Sequence, residues 1–265
     1  MNYLELSAWH VFLAGLLILV NGAISLALSL KMEKTLLIAS VRTVLQLIAV
    51  GLVLDWVFRL DRWYIVVLLG CMMTLIAGAT AATRGKRSYD GILLNCICSI
   101  WLSAWVVTAF ALLVVFEGTE KWYQPQYAVP LLGMVLGNIL NGITLGLNSF
   151  TESLVNRRDY IESMLALGAT RWEAALEPVR EAIKTGMTPI INAMMIVGLV
   201  SLPGMMTGQL VSGMDPMHAI KYQIVIMFLI AAATALGTVG VVMLTFLRLF
   251  SKDHQFRSGR IYLSK

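Results

Sequence analysis

Seven stretches of the chain run apolar for long enough to cross a bilayer: residues 9–30, 35–58, 63–82, 92–116, 127–148, 188–212 and 219–250. At 1.5 Å per residue, each can cover the roughly 30 Å of hydrocarbon in a membrane as a helix. The last is longer than one crossing needs, so it is expected to project into water near Arg248. The pattern predicts an all-α, polytopic integral membrane bundle of about seven transmembrane helices, occupying residues 1–265 as one domain.

Polar residues set the expected orientation. Lys31, Lys34, Arg84, Lys86, Arg87, Arg157, Arg158, Arg171, Arg180, Lys184, Arg248, Lys252, Arg257, Arg260 and Lys265 fall in one set of alternating loops. The other set holds only Arg59, Arg62, Lys121 and Lys221. Positive residues are retained on the cytoplasmic side, so the N-terminus is expected outside and the C-terminus in the cytoplasm. Trp56, Trp63, Tyr64, Trp122 and Tyr123 then mark the outer boundary, where amphipathic rings collect.

The longest polar connection, 149–187, is not a plain linker, because apolar residues recur in it at helical spacing. Leu154, Ile161 and Leu165 predict a first helix ending at Leu167-Gly168, with glycine taking the left-handed conformation. Thr170 and Glu173 have the capping-box spacing, and a second helix follows with Trp172, Leu176, Val179 and Ile183 as its apolar side. Gly186 is expected to end that helix, and Thr188-Pro189 to cap and start the next span.

Composition agrees with a bilayer as solvent. Hydrophobic residues make up 58% and charged ones 13%, and the mean hydropathy is +0.80. The net charge of +5 is spread over short loops and forms no continuous face, which argues against nucleic acid as a partner. Cys71, Cys96 and Cys98 lie inside apolar runs without framework or zinc spacing, so buried thiols are expected. The first run lacks a basic n-region and a small-residue cleavage site and is read as a retained helix.

Gly85-Lys86 is the only Gly-Lys pair, and threonine at 80 with arginine at 87 excludes a phosphate-binding P-loop. No nucleophile–base pair or convergent ligand set is visible, so no catalytic residue and no bound cofactor are expected.

Inside the spans, Arg42 carries the only full charge at depth, with Gln46 four residues on along the same face. An arginine in hydrocarbon costs at least about 2.5 kcal/mol, so it must meet a partner, carbonyls or a wet cavity. Structural tether, gate and ligand all remain open for it. Gly133, Gly137, Gly142 and Gly146 are spaced for close helix approach, with Asn138 and Asn141 placed to bond across an interface or to line a pore. Pro203-Gly204 should interrupt the sixth span, and Met205, Met206 and Gln209 could then offer soft sulfur and amide oxygen to a metal, or simply fill the core.

Glu162-Ser-Met-Leu-Ala-Leu-Gly168-Ala-Thr-Arg-Trp172 resembles the coupling loop of ABC-transporter permeases, although Ser163 and Met164 stand where that loop has alanines. Val41-Arg-Thr-Val-Leu-Gln46-Leu, Pro130-Leu-Leu-Gly-Met-Val-Leu-Gly-Asn138-Ile-Leu-Asn141, Gly198-Leu-Val-Ser-Leu-Pro203-Gly-Met-Met-Thr-Gly208-Gln209, Asp215-Pro216 and Tyr222-Gln223-Ile extend the resemblance over nearly the whole length. Together they resemble the Fet-type metal-export permeases of bacteria, which have relatives in plant aluminium tolerance.

That resemblance implies a permease homodimer in the bacterial inner membrane, driven by two copies of a separate cytoplasmic ATPase that uses ATP and Mg, with iron as cargo. It implies that Glu162, Ala166, Leu167, Gly168, Ala169, Thr170, Arg171 and Trp172 meet the ATPase. The competing reading is a partner-independent channel or secondary transporter for a small anionic or chelated solute, built on Arg42, Gln46 and the broken sixth span. A non-transporting relay subunit is disfavoured by external loops too short for docking.

Overall fold

The computed structural model describes residues 7–60, 62–115 and 123–263, so Lys121, Trp122 and Lys265 lie outside the described residues. Nine α-helices and one two-stranded sheet are present among them, and the chain divides into two compact units.

The first unit is a helical hairpin of α1 (Ala8–Ala27) and α2 (Glu33–Leu60). Its turn passes through Ser29 and Lys31, both with left-handed backbone. Ser25, only 1% exposed, holds the turn by donating its hydroxyl to Glu33 Oε1 at 2.9 Å and accepting the Met32 N–H at 3.1 Å. Glu33 also places negative charge at the start of α2, where free N–H groups favour it.

The second unit contains α3 (Trp63–Thr83), α4 (Ile92–Phe110, running on into a π-helical turn, Ala111–Val115), α5 (Pro125–Asn156), α6 (Arg158–Ala166), α7 (Arg171–Ile196), α8 (Gly204–Val211, all but its last residue) and α9 (Pro216–Leu249). α5 is its axis, packed on α3, α4, α7 and α9. Close approach comes from small residues. A Cβ added at Gly186 of α7 would lie 2.6 Å from the Gly142 carbonyl oxygen of α5 and 2.6 Å from Thr238 Cγ2 of α9. The three helices therefore cross with backbones nearly touching.

Among the described residues six helices are long and apolar enough to cross a membrane, namely α1, α2, α3, α4 with its π turn, α5 and α9. The protein is thus a polytopic helical membrane protein, and the seventh stretch departs from expectation. Residues 188–212 do not form a separate span. α7 runs unbroken from Arg171 through Gly186 and Pro189 to Ile196, so the second loop helix and the start of the expected span are one element. Gly186 reads locally as a terminator, yet its missing side chain serves the crossing with α5 and α9, and packing overrides propensity. Thr188 does not cap a new helix; its hydroxyl donates to the Lys184 carbonyl within α7.

The chain breaks instead at residues 197–203, just ahead of Gly204, where Gly198 has φ +83° and its N–H donates to the Ser201 carbonyl at 2.9 Å. α8 follows. The break exposes Leu199 (88%) and Val200 (82%), an apolar tip unsuited to water.

Strand β1 (Arg87–Tyr89), between α3 and α4, pairs antiparallel with β2 (Ile261–Leu263) near the C-terminus. This closes one end of the second unit. There the Arg248 guanidinium donates to the Asp90 carbonyl, the Lys86 N–H to Asn148 Oδ1, and Arg157 pairs with Glu181 at 3.2 Å. The second unit's 84–91, 149–187 and 248–260 segments thus meet one another near this end.

Tyr89 locks this end. Thr245 donates its hydroxyl to the Val241 carbonyl, so the Tyr89 hydroxyl donates to Thr245 Oγ1 (2.8 Å) and accepts from Asn95 Nδ2 (2.9 Å). Burial pushes the phenol up to about 12. Its folded value is above the ordinary one near 10, so its contribution is complete below about pH 10 and is lost as pH rises toward 12. Tyr89→Phe is expected to strand the Asn95 amide at a cost of about 1–3 kcal/mol. Thermal unfolding of the detergent-solubilised protein should show the lower stability, together with loss of the wild-type decline between pH 10 and 12.

Candidate coupling site and transport path

The joint between α6 and α7 is built as its sequence dictates. Gly168 adopts φ +94°; its N–H donates to the Leu165 carbonyl at 3.1 Å and the Ala169 N–H to the Met164 carbonyl at 3.0 Å. This is the two-bond glycine stop that satisfies the last carbonyls of a helix. Thr170 opens α7: Glu173 N–H donates to Thr170 Oγ1 at 3.3 Å, and Thr170 N–H donates back to Glu173 Oε2 at 2.8 Å. The Thr170 amide and hydroxyl hold the Glu173 carboxyl below its usual range. The cap's charge-assisted bonds are therefore fully formed at neutral pH and are lost as pH falls through that lowered value.

Beneath the joint, Ile161 of α6 is fully buried, and α7 buries Ala174, Ala175, Val179, Ala182, Gly186 and Ile190. This small-residue stripe differs from the expected apolar side. Val179 belongs to it, Leu176 and Ile183 are half-buried at its margin, and Trp172 is 43% exposed, edge-on to Phe246 with centroids 5.6 Å apart. Small side chains replace large ones because α7 lies against the backbone of α5.

Above the joint the surface is free. Ala166, Leu167, Gly168 and Thr170 are exposed, Leu167 at 87%, and an added Cβ at Gly168 meets nothing within 4 Å. Glu162 pairs with Arg158 at 2.7 Å one turn away. Arg171 is tied to the C-terminal segment. Its N–H donates to His254 Nδ1 at 2.9 Å, its guanidinium donates to the Ser251 carbonyl at 3.3 Å, and its charge lies 5.7 Å from the Phe246 ring centroid. Sequence reasoning missed this strap of residues 250–263, because it forms through contacts about eighty and more residues apart.

The expected path residues separate. Arg42 and Gln46 lie in the first unit, exposed on one face of α2 with Leu37, Ile38, Val41 and Leu45. No side chain among the described residues pairs with Arg42. In the second unit, Asn138 does not bond across an interface; its amide donates to the Met134 carbonyl of its own helix at 2.9 Å. Asn141 is exposed, as is Gly137, which has open space around it, whereas Gly142 and Gly146 sit at crossings. Pro203 is half-buried at the break and Gly204 exposed. Met205 packs on the core, Met206 is 8% exposed and Gln209 half-buried. Among the described residues no group of three or more His, Cys, Asp or Glu is placed to hold a metal. Of the cysteines only Cys96 is buried; Cys71 is half-buried and Cys98 exposed.

The described residues form a multi-pass helical membrane bundle with an exposed helix-turn-helix, α6 to α7, at one end. Residues 8–250 match the uncharacterised protein family UPF0014, and the chain belongs to it. It is 39% identical to a UPF0014 membrane protein of Synechocystis, over 85% of this chain and 87% of the relative. It is 30% identical to the probable iron export permease protein FetB of Escherichia coli, over 96% of each, and 28% identical to the protein ALUMINUM SENSITIVE 3 of Arabidopsis thaliana, over 94% and 92%. No solved structure matches it.

Proposed function

We propose that this chain is the transmembrane permease of an ATP-driven ABC exporter in a bacterial inner membrane. It works as a homodimer with two copies of a separate cytoplasmic ATPase. The observation that carries the reading is the α6–Gly168–α7 joint. Its two arms are fixed internally by the glycine stop and the capping box, so it moves as a rigid piece. Its apex, Leu167, contributes nothing to the chain's own packing. An exposed rigid apex is suited to seat in a groove on a partner.

α7 gives the joint its leverage. Because the helix continues from Thr170 past Gly186 to the break at 197–203, a push at the joint is delivered along one rod to the interrupted segment. In this reading ATP-driven closure of the ATPase pair tilts α7 against α5 and α9 and opens the bundle to the opposite side. Hydrolysis, with Mg, occurs in the partner. Iron or another metal as cargo is supported by the likeness to the probable iron export permease of Escherichia coli.

Affinity purification of the chain from its native membrane tests the assembly. A P-loop ATPase should be recovered in equal amount, and a chain purified without one that still moves solute would sink the reading. Metal content of cells with and without the chain tests the cargo, and unchanged iron in the deletion would remove iron from the proposal.

A further inference from the structure

Between the 197–203 break and the first turns of α9 lies an open-sided cavity of about 590 Å³ within the second unit, with Leu202, Ile224 and Phe228 of its wall about half exposed. Met194, Met206, Met227, Leu202 and Phe228 form most of its wall. Among the described residues Gln223 is the only polar side chain lining it, and no charged one does so. Gln223 is 7% exposed as a residue; its amide atoms are not sealed from the cavity and make no hydrogen bond to a described residue. It stands about 10 Å along α9 from Pro216, at 1.5 Å per residue.

An amide that opens onto an apolar pocket without a partner in the chain is available to a hydrogen-bonding group of a ligand. Gln223 is therefore placed for a partner from outside the chain. The volume suits a small organic molecule, and such sites are mostly apolar with few polar groups that fix orientation. Methionine walls adapt to irregular shapes. An anion or a bare divalent cation would lose its water here and meet no opposite charge.

We infer that this cavity binds an uncharged, predominantly apolar organic molecule carrying one hydrogen-bonding group, which pairs with the Gln223 amide. The binding stands by itself; only the step from ligand to cargo rests on the permease reading. On that step, a metal ion would use this site only inside a neutral chelate. The 197–203 break, with Gly198 and Leu202 in the wall, makes the cavity responsive to movement of α7.

The test uses the full chain in lipid nanodiscs without any ATPase, so a negative result reports on the cavity and not on coupling. The probe is a neutral trifluoromethyl-diazirinyl benzyl alcohol, with the corresponding benzoate as the anionic control, and adducts are mapped by mass spectrometry. Saturable labelling of segments 194–206 and 220–228 by the alcohol is expected. Gln223→Leu should weaken apparent affinity about three- to tenfold, the loss of one uncharged hydrogen bond. Ile224→Trp, at a half-exposed edge position, should abolish saturable labelling by filling the space. Unchanged labelling at lipid-facing Leu68 and Leu94 verifies that both variants fold. Labelling that rises linearly, as at Leu68, would mean that acyl chains fill the groove and would overturn the proposal. Equal labelling by the benzoate, or an affinity indifferent to Gln223→Leu, would overturn it as well.

Discussion

Leu167→Asp is expected to leave the bundle folded and to strip the chain of its ATPase. Leu167 is 87% exposed at the apex of the joint, and neither the glycine stop nor the capping box uses its side chain. Its side chain is little buried, so the chain's own packing changes little when it is replaced. If this apolar apex fills a groove on the partner, a carboxylate there is buried without a counter-charge. Central interface anchors of that kind are worth about 2 kcal/mol or more, so ATPase recovery should fall roughly thirtyfold at limiting concentration. The double variant Gly168→Glu, Trp172→Glu should abolish recovery entirely. It also strains a backbone at φ +94° and removes the Trp172–Phe246 contact, so Leu167→Asp is the cleaner measurement. Full recovery of the ATPase with either variant would show that the joint is not the coupling surface.

Gly186→Leu should have the largest effect on stability. The new Cβ alone would approach the Gly142 carbonyl oxygen and Thr238 Cγ2 to 2.6 Å each, distances that real Cβ atoms essentially never show. The crossing cannot open locally, because α5, α7 and α9 pack on one another along their lengths. Overpacking a tight core costs about 1–3 kcal/mol for added methylenes, and a backbone clash lies at or beyond the top of that range. Loss of monodisperse protein, or a sharply lowered thermal midpoint in detergent, is the expected readout. Gly137→Leu is the matched control on α5, since an added Cβ there meets nothing within 4 Å, and it should be tolerated. Equal behaviour of the two variants would contradict the crossing.

The parts of this fold that were legible in the sequence are those set by local chemistry. Six apolar runs became six long helices, and the α6–α7 joint follows residue by residue from Gly168, Thr170 and Glu173. The parts that were not legible depend on partners distant in the chain. Gly186 and Pro189 look like a helix end until α5 and α9 are seen against Gly186. The strands at 87–89 and 261–263 are three residues each, too short for a periodic signal, and exist because they find each other. The His254 contact to α7 has the same origin.

The site was legible unevenly for the same reason. Leu167 and Gly168 stand out by motif, and Arg42 by being charged at depth. The sequence pointed to Met205, Met206 and Gln209 for soft donors, whereas the structure turns Met205 to the core and gathers Met206 with Met194 and Met227 around Gln223. Convergence of residues from three separate helices and a break cannot be read from spacing along any one of them.

The source of the energy for transport separates an ATP-driven permease from a partner-independent transporter. Flux across proteoliposomes should be measured with the chain alone and with its co-purified ATPase, each with and without ATP. Movement of cargo is expected only with both subunits and ATP present, and should be lost with Leu167→Asp. Steady flux through the chain alone, indifferent to ATP, would contradict this expectation and favour a partner-independent transporter.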